Sequence, residues 1–180
     1  MKISRIHHAA YRCKDAKATV EWYVKNLNMD FVLAIAEDQV PSTKAPDPYM
    51  HVFLDAGQGN VLAFFELPNA PEMGRDTNTP DWVQHIAFKI GSLEMLEATR
   101  ARLMAAGIEV LGPTDHTIFK SIYFFDPNGH RLELCADVGT PRMHKDLDEV
   151  KWDMLNEWAQ TKRAPKHAAW MHDREFKALD

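Results

Sequence analysis

The sequence has few of the features that mark a secreted or membrane protein. Its 180 residues include two cysteines, Cys13 and Cys135, so one disulfide at most can form. No apolar run approaches the roughly 20 residues that cross a bilayer, and the amino-terminal stretch has no apolar core of the kind found in export signals. These absences predict reduced thiols in a cytoplasmic protein with no membrane partner.

The chain also has no surplus of positive charge. It carries 21 Lys and Arg residues against 26 Asp and Glu, which gives a formal net charge of −5. Because binding to phosphate backbones requires basic residues, this balance predicts no nucleic-acid partner. Gly and Pro number only 8 and 10, too few for a low-complexity chain. The composition fits one ordinary globular domain or two small ones.

An internal repeat organises the sequence. Residues 8–12 read His-Ala-Ala-Tyr-Arg and residues 85–89 read His-Ile-Ala-Phe-Lys. Further along each half, residues 52–55 (Val-Phe-Leu-Asp) correspond to residues 123–126 (Tyr-Phe-Phe-Asp), and each leads through a Gly-containing turn into another strand. Each half therefore predicts a strand, a helix and a run of short strands, which is a βαβββ unit.

A helical segment follows both copies of the histidine motif. Asp15 and Ser92, seven positions after the two histidines, are residue types that commonly cap a helix. Apolar residues at helical spacing then predict helices over 16–27 and 93–106. Gly107 fits the left-handed position that ends the second helix.

The remaining segments set the predicted boundaries. Residues 36–48, with three prolines, look like an insertion in the first half, and the spacing over 145–162 predicts an appended helix. The sequence thus predicts an α+β fold of two paired βαβββ modules in a curved mixed sheet, followed by a helical tail. The predicted divisions are a two-module domain over 1–140, with module 1 at about 1–68, a linker at 69–80 and module 2 at about 81–140, and a helical extension over 141–180.

Alternation along the strands predicts which side chains share a sheet face. In the fifth strand, an apolar set that starts at Trp82 leaves His85 on the polar side. In the last strand, the leucines that flank Glu133 face the core and leave Glu133 opposite. If the halves join into one sheet, its concave side is expected to carry His8, His85, Glu66 and Glu133.

Two imidazoles and one carboxylate that converge form a typical site for a divalent first-row metal with open coordination positions. His8, His85 and Glu133 are the predicted ligands. Glu66, the counterpart of Glu133 in the first half, stays open as a fourth ligand, a nearby base or a solvated carboxylate. His7, on the other face of the first strand, is predicted to be structural. His51 is predicted to be an exposed surface histidine.

The two βαβββ halves with His8, His85 and Glu133 resemble the vicinal oxygen chelate superfamily over roughly residues 3–138. This group includes glyoxalase I, methylmalonyl-CoA epimerase, fosfomycin-resistance proteins and extradiol ring-cleavage dioxygenases. The resemblance implies a metal-dependent enzyme. Because members commonly pair through their modules, it also implies a homodimer.

One stretch resembles the extradiol dioxygenases more specifically. Residues 114–133 contain, in the order of the dioxygenase signature, a histidine, an aliphatic-Tyr pair, an Asp-Pro-Asn-Gly turn and a terminal glutamate. The polar positions of the signature are therefore occupied by His116, Tyr123 and Glu133. The resemblance implies Fe(II), with Mn, Zn or Ni as alternatives, and a catechol-like aromatic diol and O2 as substrates. It also implies that Tyr123 hydrogen-bonds the substrate and that His116 is the general acid and base.

Glu66 keeps another activity open. Paired glutamates around a metal are the pattern of glyoxalase-type isomerases, so Glu66 as a fourth ligand or base would favour an isomerase or lyase of the glyoxalase or epimerase kind. Glu66 turned away from the site would favour the dioxygenase. A third alternative is a binding protein without catalysis, which the presence of His8, His85 and Glu133 disfavours.

Overall fold

A computed structural model describes residues 2–165 of the chain. Two successive β-α-β-β-β series are followed by one long helix, which confirms the predicted α+β fold of two modules and a carboxy-terminal helix. The elements are β1 (Ala9–Cys13), α1 (Ala16–Leu27), β2 (Asp30–Gln39), β3 (Pro46–Asp55), β4 (Val61–Glu66), β5 (Ile86–Lys89), α2 (Leu93–Ala105), β6 (Leu111–Asp115), β7 (Phe119–Phe125), β8 (Arg131–Asp137) and α3 (Pro141–Thr161).

Each module forms a four-stranded sheet of its own. The strand orders are β1-β4-β3-β2 and β5-β8-β7-β6, so the first strand of each module lies beside its last strand. In the first sheet, β1 runs parallel to β4 while β3 is antiparallel to β4. The equivalent strand orders confirm that the sequence repeat is a structural repeat.

The predicted helix boundaries are confirmed by their caps. The Asp15 side chain accepts a hydrogen bond from the Ala18 amide at 2.8 Å, and that of Ser92 accepts one from the Met95 amide at 3.2 Å. These bonds satisfy amides that the first turn of a helix leaves unpaired. Gly107 has a φ of +80°, the left-handed conformation expected just beyond α2.

Three local predictions were wrong. Both ends of the insertion expected over 36–48 are strand, because β2 runs to Gln39, β3 begins at Pro46 and the two form a hairpin in which Glu37 pairs with Tyr49. The fifth strand begins only at Ile86, and Trp82 is 68% exposed instead of belonging to an apolar face. The first strand begins at Ala9, so His8 immediately precedes it.

The described residues divide into two compact units. The first contains residues up to Ile86 together with Phe125–Leu132, and the second contains Ala87–Phe124 and residues 133–165. The Asp-Pro-Asn-Gly turn that joins β7 to β8 therefore belongs to the unit of the first module.

Buried hydrogen bonds attach this turn to α1. The Tyr23 hydroxyl donates to Asp126 at 3.0 Å, and the Asn128 side chain accepts from the Lys14 amide at 2.8 Å. Asp126 also accepts from the amides of Asn128 and His130, which closes the turn. Burial, and then the charge of Asp126, raise the pKa of Tyr23 well above the ordinary tyrosine value. The turn thus fixes the start of α1 besides reversing the chain.

Both cysteines are free thiols, as predicted. Cys13 is buried at the end of β1, and burial raises the pKa of its thiol to about 11. Burial also raises the pKa of Cys135, to which the charge of Glu133 adds. Since the thiolate is the reactive form of cysteine, neither residue has the character of a nucleophile.

The carboxy-terminal helix α3 confirms the appended helix predicted over 145–162. It starts at Pro141 because the Thr140 side chain accepts from the Met143 amide, and proline is well suited to a first helical position. Among the helices of residues 2–165, none combines the length and apolar character needed to span a bilayer. Residues 166–180 of the predicted extension lie outside the described part.

Candidate metal centre and catalytic pair

The first sheet places His8 beside a second histidine. Arg12 of β1 lies opposite Phe65 of β4, and Phe65 lies opposite His51 of β3, so these three side chains share one face. The His8 ring contacts this face, with centroids 6.0 Å from His51 and 5.5 Å from Phe53. The sequence had suggested an exposed His51, which was wrong because β3 extends far enough to include it.

Two contacts define the surroundings of these histidines. The Nδ1 atoms of His7 and His8 lie 2.8 Å apart, so His7 orients the His8 ring. The His51 ring stacks on Phe65 with centroids 3.6 Å apart. Burial, and then the neighbouring His8, lower the pKa of His51 below the ordinary histidine value. Such a group is neutral near pH 7 and can donate or accept a hydrogen bond.

Glu66 lies on the other face of the same sheet. It pairs in register with Cys13, one position beyond the Arg12 and Phe65 pair, and therefore points to the side that packs against α1. Its Oε2 accepts a hydrogen bond from the Ala16 amide at 2.6 Å, at the first residue of that helix. The expectation that Glu66 shares a face with His8 is wrong, since the β1–β4 register sets the two on opposite sides.

His85 lies immediately before β5 and borders a cavity of about 650 Å³ in the first unit. Its Nδ1 is 3.1 Å from the Val83 carbonyl oxygen. Other cavity-lining residues include Tyr11, Lys14 and Arg131. Tyr11 lies on the face of β1 opposite to that of Arg12.

Glu133 is a buried carboxylate in the second unit. Only 3% of it is exposed, and its Oε1 accepts a short hydrogen bond from the Ser121 hydroxyl on the neighbouring strand β7. Leu132 and Leu134, on either side of it, are also buried. The prediction that Glu133 and these leucines point to opposite faces agrees with the alternation of β8, although Glu133 itself is buried.

His116 and Tyr123 form a hydrogen-bonded pair, with His116 Nε2 2.7 Å from the Tyr123 hydroxyl. A tight turn holds His116 after β6: its amide donates to the Phe119 carbonyl, and Thr117 has a φ of +74°. Tyr123 alternates with Ser121 along β7 and so shares the face on which Ser121 reaches Glu133. Three of the predicted site residues therefore lie on one face of the second sheet.

The predicted metal ligands belong to both compact units, His8 and His85 to the first and Glu133 to the second. In residues 2–165, no group of three or more His, Cys, Asp or Glu side chains is placed to hold a metal ion. The structure brings His116 and Tyr123 into contact and sets Glu133 on their face. It does not bring His8 together with Glu66.

Sequence reasoning missed three residues around these positions: His51, Arg12 and Ser121. For His51 a signal was available, because it alternates with Phe53 at the start of a recognised strand. Ser121 alternates with Tyr123 in the same way. Arg12 ends the histidine motif itself, and its place beside Phe65 follows only from the strand register.

Two successive βαβββ modules, each with a four-stranded sheet of its own, define the fold class of the chain. The chain belongs to the Glyoxalase/Bleomycin resistance protein/Dioxygenase superfamily, whose profile matches residues 5–134. This assignment agrees with the resemblance inferred from the repeated histidine motifs and the terminal Glu133.

Two proteins that are similar to this chain in sequence are named for different activities. The chain is 27% identical over 99 residues to the protein named ring-cleaving dioxygenase MhqA of Bacillus subtilis, a match that spans 55% of this chain and 31% of that protein. It is 34% identical over 124 residues to the metallothiol transferase FosB of Shouchella clausii, which spans 62% of this chain and 83% of that protein. The chain therefore covers about a third of the first relative and most of the second.

Among solved structures, the chain is similar to the fosfomycin resistance protein FosX of Listeria monocytogenes. That similarity has a TM-score of 0.54 and 22% identity, and covers 80% of this chain and 99% of the other. This similarity supports the assignment of the fold. The FosX structure holds Mn(II), so a divalent metal occurs within this fold.

Proposed function

We propose that the protein is an extradiol-type ring-cleaving dioxygenase, dependent on a divalent metal, that acts on a catechol-like aromatic diol with O2. The observation that carries this proposal is the 2.7 Å contact between His116 and Tyr123 on the sheet face of Glu133. A phenolic substrate needs a hydrogen-bond partner and a group that takes up its proton, and this pair provides both.

The donor set suits a divalent metal. His8 and His85 offer imidazole nitrogens and Glu133 offers a carboxylate, a ligand combination that is typical of non-haem Fe(II) sites with open positions. Mn, Zn or Ni are alternatives with the same ligands. A metal held by these residues would supply Lewis acidity and open coordination positions.

The side chains of this protein have separate tasks in the proposal. Tyr123 hydrogen-bonds a substrate oxygen through its hydroxyl and so orients the ring. His116 takes up the substrate proton at Nε2 through the Tyr123 hydroxyl, which lies 2.7 Å away, and later returns it to the product. Ser121 holds the Glu133 carboxylate in one orientation, as hydrogen-bonded carboxylate ligands generally require.

Oxygen uptake tests this activity. Protein loaded anaerobically with Fe(II) is expected to consume O2 when 4-methylcatechol is added and to form a yellow ring-opened product. An oxygen electrode and absorbance spectra measure both signals. Protein without iron provides the control. No uptake with any of a panel of catechols would count against a dioxygenase.

The FosB similarity favours a second candidate, a metal-dependent thiol transferase. It rests on 34% identity over 83% of that relative. Such an enzyme would consume a free thiol in the presence of an electrophilic acceptor, without any O2. Thiol titration under nitrogen separates this candidate from the first.

The placement of Glu66 weakens the glyoxalase- or epimerase-type alternative. A fourth ligand or base on the first module would have to share the face of His8, whereas Glu66 binds the start of α1. On β4 the residues of the His8 face are Val61, Ala63 and Phe65, none of which can ligate a metal. This arrangement favours three protein ligands.

We further propose that the protein functions as a homodimer whose pairing completes the metal site. In residues 2–165 no group of three or more ligating side chains is placed to hold a metal ion, and the edge strand β2 exposes about half of each of four apolar side chains, Phe31, Val32, Leu33 and Ile35. Light scattering at micromolar concentration is expected to give twice the chain mass. Mixing His8→Ala and Glu133→Ala proteins after mild unfolding is expected to restore part of the oxygen uptake. A monomeric mass would contradict pairing.

A further inference from the structure

The helix α3 carries a stripe of large apolar side chains on its solvent side. Trp152 is 68% exposed, Leu155 is 55% exposed and Trp158 is 46% exposed. They follow one another at intervals of three residues, so they are neighbours on the helix surface. The inner side of the helix lies at another phase, where Met143 is buried and Met154 is half-buried. Contiguous exposed apolar surface of this kind is typical of a site where another molecule binds.

Two opposite charges lie at the ends of this stripe. Asp148 stands seven residues before Leu155, and Lys162 stands seven residues after it. Seven residues are close to two helical turns, so both side chains lie on the side of Leu155. Both are exposed, and the Lys162 amide still donates to the Trp158 carbonyl at 2.9 Å. The stripe therefore has a negative end, an apolar centre and a positive end.

This order of charges favours a second copy of the same helix, in the antiparallel direction. When two copies of α3 pair with Leu155 at the centre, Asp148 of each copy meets Lys162 of the other. A parallel pair would place like charges opposite each other and align the two helix dipoles, both of which are unfavourable. Asp148 also contacts Lys151 of its own helix through Oδ1, and a carboxylate accepts hydrogen bonds from more than one cation.

The apolar area of the stripe predicts how strong such pairing is. A fully buried aromatic side chain hides about 150–250 Å². The exposed parts of Trp152, Leu155 and Trp158 then give roughly 700 Å² for a pair of copies. Stable interfaces bury about 1,200–2,000 Å² in total, so pairing through α3 alone is weak. A dissociation constant on the order of 100 µM is expected.

We propose that the stripe of α3 is a self-association surface, which a second copy of this chain covers with its own α3 in the antiparallel direction. The surface lies wholly in the second unit, whereas the edge strand β2 belongs to the first. It joins single chains, or the dimers proposed above, at high protein concentration. The inference is independent of the proposed dioxygenase activity.

Sedimentation equilibrium of the full-length protein at two concentrations tests this surface. Between about 5 µM and about 500 µM, the weight-average mass is expected to rise at least about 1.5-fold. Leu155→Asp places two carboxylates opposite each other at the centre of the pair and is expected to abolish the rise. Gln160→Asp is the matched control, because it adds the same charge at an exposed position on another side of α3. It is expected to keep the rise.

A charge exchange tests the antiparallel direction. Asp148→Lys and Lys162→Asp each place like charges at both ends of the pair, and each alone is expected to raise the dissociation constant at least about fivefold. The double variant restores opposite charges and is expected to return to within about twofold of the wild-type constant. Circular dichroism and the thermal midpoint verify that every variant keeps its helix content and its fold.

Three outcomes would overturn the proposal. A wild-type mass that is the same at both concentrations means that no second copy binds, as expected if another occupant covers the stripe. A rise that persists in Leu155→Asp assigns self-association to a different surface. A double variant as weak as the single variants refutes the antiparallel direction. Oxygen uptake of the wild-type protein is measured separately, so failure of this surface is distinguishable from failure of the dioxygenase proposal.

Discussion

Replacement of Glu133 by glutamine is expected to lower the affinity of the protein for Fe(II) by at least about a hundredfold and to abolish oxygen uptake. Glutamine keeps the shape of the side chain and an oxygen that accepts from Ser121, but it removes the anionic ligand. Changes to groups that merely orient a ligand cost ten- to a hundredfold in metal affinity, so loss of a ligand is expected to exceed that range. Competition with a chromophoric chelator measures the affinity.

Glu66→Gln is the matched control, because it makes the same chemical change on the other module. It is expected to keep Fe(II) affinity within about twofold and to lower the free energy of unfolding by about 0.5–1 kcal/mol, since a charged acceptor at the start of α1 becomes neutral. Circular dichroism during urea unfolding measures that loss. Equal loss of iron in both variants would instead identify Glu66 as a ligand and favour the isomerase.

The elements of this fold were predictable because their signals are local. Asp15 and Ser92 mark the starts of α1 and α2, and Gly107 marks an end, each through a single side chain or backbone conformation. The repeat of the histidine motif then gave the order of the modules. The dioxygenase signature also predicted His116 and Tyr123, which are in contact and lie only seven positions apart in the sequence.

The faces of the first sheet were not predictable in the same way. Alternation fixes which residues of one strand share a side, but the register between β1 and β4 decides how two strands match. Glu66 lies opposite Cys13, one position beyond Arg12, and so points to the other face of the sheet. The sequence gives no direct signal for this register, because β1 and β4 are joined by about fifty residues.

Local sequence patterns also could not predict which residues are buried by segments distant in the sequence. His51 looked exposed because its neighbours Tyr49 and Met50 follow a proline-rich stretch, yet Phe65 from another strand covers its ring. The Asp-Pro-Asn-Gly turn looked like an ordinary hairpin, yet Asp126 accepts a buried hydrogen bond from Tyr23. In both cases the partner lies more than ten residues away.

Loss of the His116 side chain is expected to reduce kcat for diol cleavage by about a hundred- to ten-thousandfold, the usual contribution of a general acid or base. His116→Ala removes the nitrogen that lies 2.7 Å from the Tyr123 hydroxyl, and Tyr123→Phe removes the hydroxyl itself. Because the two groups act as one hydrogen-bonded unit, the double variant is expected to be little slower than His116→Ala alone. Steady-state oxygen uptake is measured for the wild type, the two single variants and the double variant, which together form a double-mutant cycle.

The same variants distinguish catalysis from folding or metal binding. Neither residue is a proposed ligand, so Fe(II) affinity is expected to stay within about twofold of wild type. The control is His144→Asn, which changes an exposed histidine on α3 and is expected to leave kcat unchanged. Fully multiplicative losses in the double variant would show that the two side chains act independently. A His116→Ala protein that keeps kcat within threefold would remove His116 from the mechanism, and with it the feature that separates a dioxygenase from the other enzymes of this fold.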